Sequence, residues 1–180
     1  YTVPSSVTVI ENSSFNDCTF ISDINIHAGV TTLDATFNGC TSLENINIDS
    51  ENPNYASVDG VLFNKTASTL IRYPMGKEDT DYTVPATASV ISASAFYTCT
   101  NVENVIIPDS VTSIGNSAFQ GCTSLQSITL PNNLNALGES LFSGCVSLGG
   151  ISIPGSVTNI ERSAFYGCSK LDGIIIPNSV

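Results

Sequence analysis

Several residue types are scarce in this 180-residue chain, and each scarcity excludes a class of function. The chain has no tryptophan, one histidine and one methionine. Lysine and arginine together number 5 against 16 acidic residues, so the formal net charge is −11. Nucleic acids and anionic membrane surfaces are bound by clusters of basic residues, and we therefore expect neither as a partner. No apolar run approaches the roughly 18 residues needed to span a bilayer, so we expect no direct membrane insertion by this segment.

Motifs that carry catalysis or metal binding are also missing from the sequence. It has no glycine-rich phosphate loop, no dinucleotide fingerprint and no C-x-x-C pair. The single histidine, His27, has no predictable serine or cysteine partner for acid–base chemistry. Glu78, Asp79 and Asp81 lack the alternating ligands and the glycine of a calcium loop. We expect a protein that is not an enzyme, with no catalytic residue, no cofactor and no metal ion.

What the chain has instead is an internal repeat, which is clearest from its prolines. Five of them follow one another at steps of 23 residues: Pro85, Pro108, Pro131, Pro154 and Pro177. A fixed period in the twenties is typical of solenoids, in which each coil buries its apolar face by stacking on its neighbours. We therefore predict that residues 1–180 form one solenoid domain.

The predicted coils differ slightly in length along the chain. Regular repeats are expected at 4–26, 27–48, 85–107, 108–130, 131–153 and 154–176. Residues 49–84 form one irregular unit, and 177–180 resemble the start of a truncated repeat. Both ends of the sequence look like cuts through a longer repeat array.

Each regular unit reads L-x-x-I-x-I-P, then S-V-T-x-I, then A-F-x-G-C. Leu125, Ile128 and Leu130 have the spacing of a turn followed by a short strand with alternating inward residues. Pro131 ends that strand, because proline cannot donate to a ladder. Gly121 is predicted to supply a turn with positive φ. Stacked coils about 4.8 Å apart would place the strands in one parallel sheet, with short turns or 3₁₀ segments opposite.

A phenylalanine precedes a cysteine by three residues in six of the units, and these twelve residues are the expected structural core. They are Phe15, Phe37, Phe96, Phe119, Phe142 and Phe165, with Cys18, Cys40, Cys99, Cys122, Cys145 and Cys168. Each cysteine is interpreted as a small buried hydrophobe. Disulfides between residues 18–40, 99–122 and 145–168 stay open on distance alone, although stacked side chains point in parallel rather than towards each other.

The combined I-P, A-F and G-C columns resemble the BspA-like leucine-rich repeat, a 23-residue class of bacterial and protist surface proteins. The resemblance covers essentially the whole chain. It implies a leucine-rich-repeat solenoid, a secreted or cell-surface location and a non-enzymatic binding scaffold. It transfers no ligand-binding residue, because the shared motif is the core.

The irregular unit at 49–84 contains two strand-like runs, "GVLFN" and "TLIRYP", which predict a β-hairpin projecting from the solenoid near residues 54–75. Its aromatic residues beside an arginine have the composition of a binding hot spot. The candidates for partner binding are Tyr55, Phe63, Arg72 and Tyr73. In the alternative interpretation, Phe63 and Leu70 form a small core of the hairpin itself.

The outward positions of the predicted sheet are small and mostly uncharged. The candidates for partner binding there are Asn25, Asn47, Asn104, Ser127, Thr129 and Ser152. Solenoids commonly bind through such sheets, but crowding on a curved face would also select small residues. Asn25 and Asn47 are in addition expected to stack as an amide ladder.

We expect a binding scaffold that attaches to an extracellular protein or glycan, in the manner of an adhesin. Two alternatives stay open at this point. The repeats could form a structural stalk that presents another domain, or a binding appendage of a secreted enzyme encoded elsewhere in a longer chain.

Overall fold

The computed structural model describes residues 1–33 and 37–180. Within these residues the regular structure consists of fourteen β-strands, with no helix. The architecture is a parallel β-solenoid of about six turns, as predicted. The chain divides into two compact units, Tyr1–Lys77 and Glu78–Val180, which are described separately below. That the whole chain is one domain stays a prediction.

In the first unit, successive coils contribute strands to two parallel sheets. The coil strands are β1 (Val9–Ile10), β2 (Asp23–Ile26), β3 (Thr32–Leu33) and β4 (Asn45–Ile48). β2 pairs with β4 in the longer sheet, and β1 pairs with β3 in the shorter one. Paired strands are one repeat apart in sequence, which is the connectivity of stacked coils.

The irregular unit continues the first unit as a three-stranded antiparallel meander. β5 (Tyr55–Val58) pairs with β6 (Val61–Asn64), and β6 pairs with β7 (Thr69–Arg72). Asp59 and Gly60 join β5 to β6 with φ angles of 51° and 78°, the backbone that a two-residue hairpin turn requires. The predicted hairpin strands are confirmed, and β5 adds a strand before them.

The meander does not project, and this part of the prediction is wrong. Val61, Leu62 and Leu70 are fully buried, and Leu62 belongs to the hydrophobic core of the first unit. The backbone N–H of Ile46 in β4 donates to the carbonyl of Gly60 at 2.9 Å. Because "VLFN" is apolar on both faces, only packing against the coils removes both faces from water.

The second unit repeats the arrangement of the coils. Its strands are β8 (Asp81–Thr83), β9 (Val90–Ile91), β10 (Asn104–Ile106), β11 (Ser113–Ile114), β12 (Ser127–Thr129), β13 (Ala136–Leu137) and β14 (Asn159–Ile160). β8, β10 and β12 form the longer parallel sheet. β11 pairs with β9, and β13 with β14, in the shorter wall. Turns connect the walls, and none of the described residues is in a 3₁₀ helix.

Strand alternation decides which side chains face the interior. Ile24 of β2 pairs with Ile46 of β4, and both are fully buried. The neighbouring cross-strand pair, Asn25 and Asn47, is exposed on the outer face. Each buried isoleucine contributes about 1.5–3 kcal/mol relative to an exposed one. The core therefore fixes a register that stacks polar residues in rows outside.

The Phe-x-x-Cys spacing closes a turn at the corner of each coil. The backbone N–H of Cys122 donates to the carbonyl of Phe119 at 3.2 Å. That carbonyl also accepts the thiol of Cys145 from the next coil at 3.1 Å. The same thiol bond to the preceding coil is made by Cys40, Cys122 and Cys168. Cysteine thus combines a small buried side chain with a hydrogen bond between coils.

All six cysteines are free thiols. Burial raises the pKa of the Cys145 thiol to about 12. Burial likewise raises the pKa of Cys40 and of Cys168. A buried thiol with a raised pKa is a poor nucleophile at neutral pH, so these side chains are suited to packing rather than to chemistry.

The phenylalanine rings form a stack inside each unit. Ring centroids lie 5.8 Å apart for Phe15–Phe37, 4.8 Å for Phe96–Phe119, 5.7 Å for Phe119–Phe142 and 5.6 Å for Phe142–Phe165. The inner rings are buried, whereas Phe15 and Phe165 are half-buried. Cys18 and Cys168 are half-buried in the same two coils.

In each coil of the second unit, two positions beside the column phenylalanine take a left-handed backbone. Gly121 has φ 76°, as predicted, and an added Cβ there would lie 2.8 Å from Cγ2 of Thr98. Ser117, two residues before Phe119, also has positive φ, at 57°. Serines stand at the same place in the other described coils of this unit, which shows that the turn tolerates a non-glycine residue there.

Candidate binding face

The outward residues of the longer parallel sheets form a mostly polar face, named the polar sheet face here, with Ile106 as an apolar member at 52% exposure. Of the side chains predicted there, the exposed ones are Asn25, Asn47, Ser127, Thr129 and Ser152. Asn104 is partly buried. The first two lie in the first unit, where they pair with each other, and the others lie in the second, where Asn104 pairs with Ser127.

In the first unit the amide ladder expected from the sequence is present. Nδ2 of Asn47 donates to Oδ1 of Asn25 at 3.2 Å. Nδ2 of Asn25 in turn lies 3.4 Å from the carbonyl oxygen of Tyr1 and from Oγ1 of Thr2. Because a carbonyl can only accept, Asn25 must present its nitrogen to Tyr1 and its oxygen to Asn47. The orientation of both amides is thereby fixed.

Other rows of the face place a carboxylate beside a neutral donor. Asn45 donates to Asp23 at 2.8 Å, and this bond lowers the pKa of the Asp23 carboxyl. In the second unit, Asn104 donates to Asp81 at 2.9 Å and accepts from Ser127 at 2.7 Å. Like charges stacked directly would repel, so alternation with amides and hydroxyls lets an acidic chain form these rows.

The aromatic and arginine candidates of the meander do not form an exposed hot spot. Phe63 is 0%, Tyr73 1% and Arg72 2% exposed. Tyr55 is half-buried, and its hydroxyl accepts a hydrogen bond from the backbone N–H of Leu33 at 2.9 Å. The alternative interpretation is met only in part: Phe63 and Leu70 are buried, but Arg72 is buried as well, and Leu62 packs in the core of the coils rather than in a core of the hairpin's own. Composition could not distinguish the two, because buried and exposed aromatics look alike in sequence.

Sequence reasoning missed a buried asparagine whose hydrogen bonds join the meander to the preceding coil. Asn52 is fully buried, and its Nδ2 donates to the carbonyls of His27 at 3.2 Å and Val30 at 2.9 Å. Its Oδ1 accepts the backbone N–H groups of Asn54 and Tyr55, each at 3.0 Å. All four bonds of the amide are therefore made. The surrounding residues, "NPNY", are typical of a turn and do not indicate a buried amide.

His27 acts as a structural residue at the end of β2. Gly29 N donates to its Nδ1 at 3.1 Å, and its Nε2 lies 3.1 Å from the carbonyl oxygen of Pro4. Since that carbonyl only accepts, Nε2 carries the proton and both ring nitrogens are engaged.

Neither a metal cluster nor a membrane-spanning helix occurs among residues 1–33 and 37–180. No group of three or more histidine, cysteine, aspartate or glutamate side chains could hold a metal ion there. No helix in that part of the chain is long and apolar enough to cross a bilayer.

Three solved structures are similar to this chain over nearly its whole length. A leucine rich cell surface protein from Faecalibacterium prausnitzii A2-165 is 34% identical, with a TM-score of 0.84, and the match covers 99% of this chain and 54% of that protein's chain. A leucine-rich repeat protein from Eubacterium ventriosum is 27% identical, with a TM-score of 0.82 over 98% and 54%. The pneumococcal vaccine antigen PcpA is 26% identical, with a TM-score of 0.87 over 99% and 51%.

The chain thus spans about half the length of each of these relatives. Among curated proteins, none matches it. The model of the BspA type leucine rich repeat region matches residues 1–84 and 89–180 in six copies. Proteins of this repeat family are typically non-enzymatic binding scaffolds. With the coils, the Phe-Cys corners and this match in agreement, the chain belongs to the BspA-type leucine-rich repeat family.

Proposed function

We propose that this chain is a non-enzymatic scaffold of the cell surface that attaches to an extracellular protein or glycan through the polar sheet face. The observation that carries the proposal is the exposure of Asn25, Asn47, Ser127, Thr129 and Ser152 on coils whose cores are buried. Hydrogen bonds between coils already orient several of these side chains. Binding therefore costs less side-chain entropy than it would on a mobile surface.

The relatives support an extracellular location. One is described as a cell surface protein and another as a vaccine antigen. The acidic composition, with a net charge of −11, fits partners other than nucleic acids and other polyanions. Because the chain covers about half of its relatives, the activity of a longer protein is also part of this proposal.

The test is a binding screen against immobilised extracellular-matrix proteins and a glycan array. Two variants, Asn47→Arg and Ser127→Arg, place a bulky cation on the face of the first and second unit respectively. Ser113→Arg, at an exposed position on the shorter wall, is the matched control. We expect the parent to bind at least one partner, one face variant to lose it, and the control to retain it.

Other outcomes would favour the alternatives. If the folded parent binds nothing at micromolar concentration, the stalk becomes the better account. If flanking sequence carries a catalytic domain, the chain is better described as a binding appendage of a secreted enzyme. Loss of binding only in the control variant would move recognition to the shorter wall.

A further inference from the structure

We propose that the first unit carries a binding site for a neutral glycan, in a groove at the carboxyl ends of β2 and β4. This inference rests on the proposed function and specifies the ligand class. The groove has a volume of about 350 Å³, and Thr2, Asn25, His27, Asn47, Ile48 and Asp49 are among the residues that line it. That volume lies at the lower end of small-ligand sites, which span about 300–1,000 Å³.

The ladder leaves a defined set of polar atoms facing the groove. Among the described residues, the side chain of Asn47 makes one hydrogen bond, from Nδ2 to Asn25. Its Oδ1 and its second N–H are therefore available to a ligand. Oδ1 of Asp49 accepts the backbone N–H of Glu51 at 2.9 Å, which leaves Oδ2 available. An acceptor, a donor and a carboxylate oxygen therefore belong to two residues, Asn47 and Asp49, that line the same groove.

This set matches the hydroxyl groups of a sugar. A hydroxyl both donates and accepts, so adjacent hydroxyls can donate to Oδ1 of Asn47 and Oδ2 of Asp49 while one accepts from the Asn47 N–H. The half-buried side chain of Ile48 provides apolar surface beside these groups for the C–H face of a sugar ring. Apolar surface combined with a small number of placed polar groups is usual for a small-ligand site.

Charge selects against the two charged ligand classes. A polyanion would meet Asp49 and Glu51 on a chain with a net charge of −11. A basic peptide would find a single carboxylate among the lining residues, one oxygen of which is already engaged. Thr2, Asn25 and Asn47 carry no charge. A neutral oligosaccharide is therefore favoured over both.

The experiment is an NMR titration of the ¹⁵N-labelled chain with maltotetraose, cellotetraose and mannotetraose. A heparin-derived tetrasaccharide and tetralysine serve as the anionic and cationic probes. We expect at least one neutral sugar to shift the side-chain amide signals of Asn25 and Asn47. Its affinity should not change when NaCl rises from about 50 to about 500 mM, because no charge is neutralised.

Two variants separate the site from general effects on folding. Asn47→Ala should weaken the neutral sugar at least about tenfold, or about 1.4 kcal/mol. Asn54→Ala is the matched control, because Asn54 is also an exposed asparagine but does not line the groove. Like Asn47 it donates to another coil, in this case to the carbonyl of Thr31 at 2.8 Å. The Asn54→Ala variant should leave the affinity within about twofold. The wild-type amide shifts test the site even if Asn47→Ala fails to fold.

The inference is overturned if no neutral sugar binds by about 10 mM, or if tetralysine or the heparin fragment binds more tightly than any of them. Shifts confined to residues outside the groove would also overturn it. If the chain binds a matrix protein through the polar sheet face but none of the neutral sugars, only this inference fails. If the chain binds nothing at all, the proposed function fails with it.

Discussion

Replacing Phe119 by alanine tests the structural account at a buried ring of the phenylalanine column. Phe119 is fully buried, and its ring is stacked on Phe96 at 4.8 Å and on Phe142 at 5.7 Å. A buried Phe→Ala change costs about 3–5 kcal/mol through lost transfer energy and the cavity it leaves. Stacked aromatic pairs contribute about 0.5–1.5 kcal/mol beyond burial. We therefore expect a loss at the upper end, about 4–5 kcal/mol.

Phe165→Ala is the matched control in the same unit. Phe165 belongs to the same column, but it is half-buried and stacks on Phe142 alone among the ring pairs measured in this unit. Its replacement should cost about half as much, roughly 2 kcal/mol. The assay is urea unfolding followed by circular dichroism, with the slope of the transition used to check that both variants unfold as the parent does.

Hydrogen exchange adds a local readout to the same pair of variants. In a stack where each coil contacts its neighbours, the loss at Phe119 should appear mainly in the coils of Phe96 and Phe142. A Phe119→Ala variant as stable as the parent, or no less stable than Phe165→Ala, would refute the placement of the phenylalanine column and its role in the core.

Four further predictions follow from single contacts. Asn52→Leu should destabilise the chain by about 3–5 kcal/mol, because four backbone groups at buried or partly buried contacts lose their hydrogen bond to Asn52; thermal unfolding measures this. Gly121→Ala should cost about 1–3 kcal/mol at φ 76°, whereas Gly155→Ala, with open space around the added Cβ, should be nearly neutral in the same melt. Cys145, with a pKa of about 12, should resist iodoacetamide at pH 8 until the chain is unfolded, as peptide mass analysis would show. Hydrogen bonds from Asn132 lower the pKa of Asp109 in the folded chain. The Asp109 carboxylate therefore stabilises the fold above its unfolded pKa of about 4, and this contribution is lost as the pH falls through the lower folded pKa. In a plot of stability against pH, Asp109→Asn should reduce the fall in stability on the acid side.

Each of these has a result that contradicts it. Rapid alkylation of native Cys145 would mean that its coil opens or that its thiol is not buried. Equal melting temperatures for the variants at Gly121 and Gly155 would remove the argument from backbone strain. An Asn52→Leu variant as stable as the parent would show that the meander is held by its apolar contacts alone. An acid limb unchanged in Asp109→Asn would assign the acid dependence to other carboxylates.

Much of the fold was predictable because the repeat can be recognised in the sequence. The repeat step, 23 residues in most coils and 22 between Asn25 and Asn47, fixes which residues stack. The Phe119 column, the turn at Gly121 and the ladder of Asn25 and Asn47 could therefore all be predicted. In each case, one local pattern repeated at a fixed interval supplies both the contact and its register. The positive φ at Ser117 was not foreseen, because serine gives no conformational signal of the kind that glycine gives.

The irregular unit was predicted less well because its contacts do not repeat. The strands of "GVLFN" and "TLIRYP" follow from local pattern, but their packing depends on side chains more than ten residues away. Asn52 holds the unit by donating back to His27 and to Val30, and Val30 stands one 22-residue step earlier. The repeat relates Asn52 to Val30 but predicts an apolar residue in that column, not a hydrogen-bonding amide. For the same reason the burial of Phe63 and Arg72 could not be read from composition.

The measurement that tests the central claim most directly is the binding of the chain and three arginine variants, two on the polar sheet face and one on the shorter wall, to the partner found in the screen. The claim is that recognition lies on the polar sheet face and not on the shorter wall. We predict that Asn47→Arg or Ser127→Arg weakens binding at least about tenfold, while Ser113→Arg binds as the parent does and all three melt within a few degrees of it. Full binding by both face variants, with loss in Ser113→Arg, would contradict the claim.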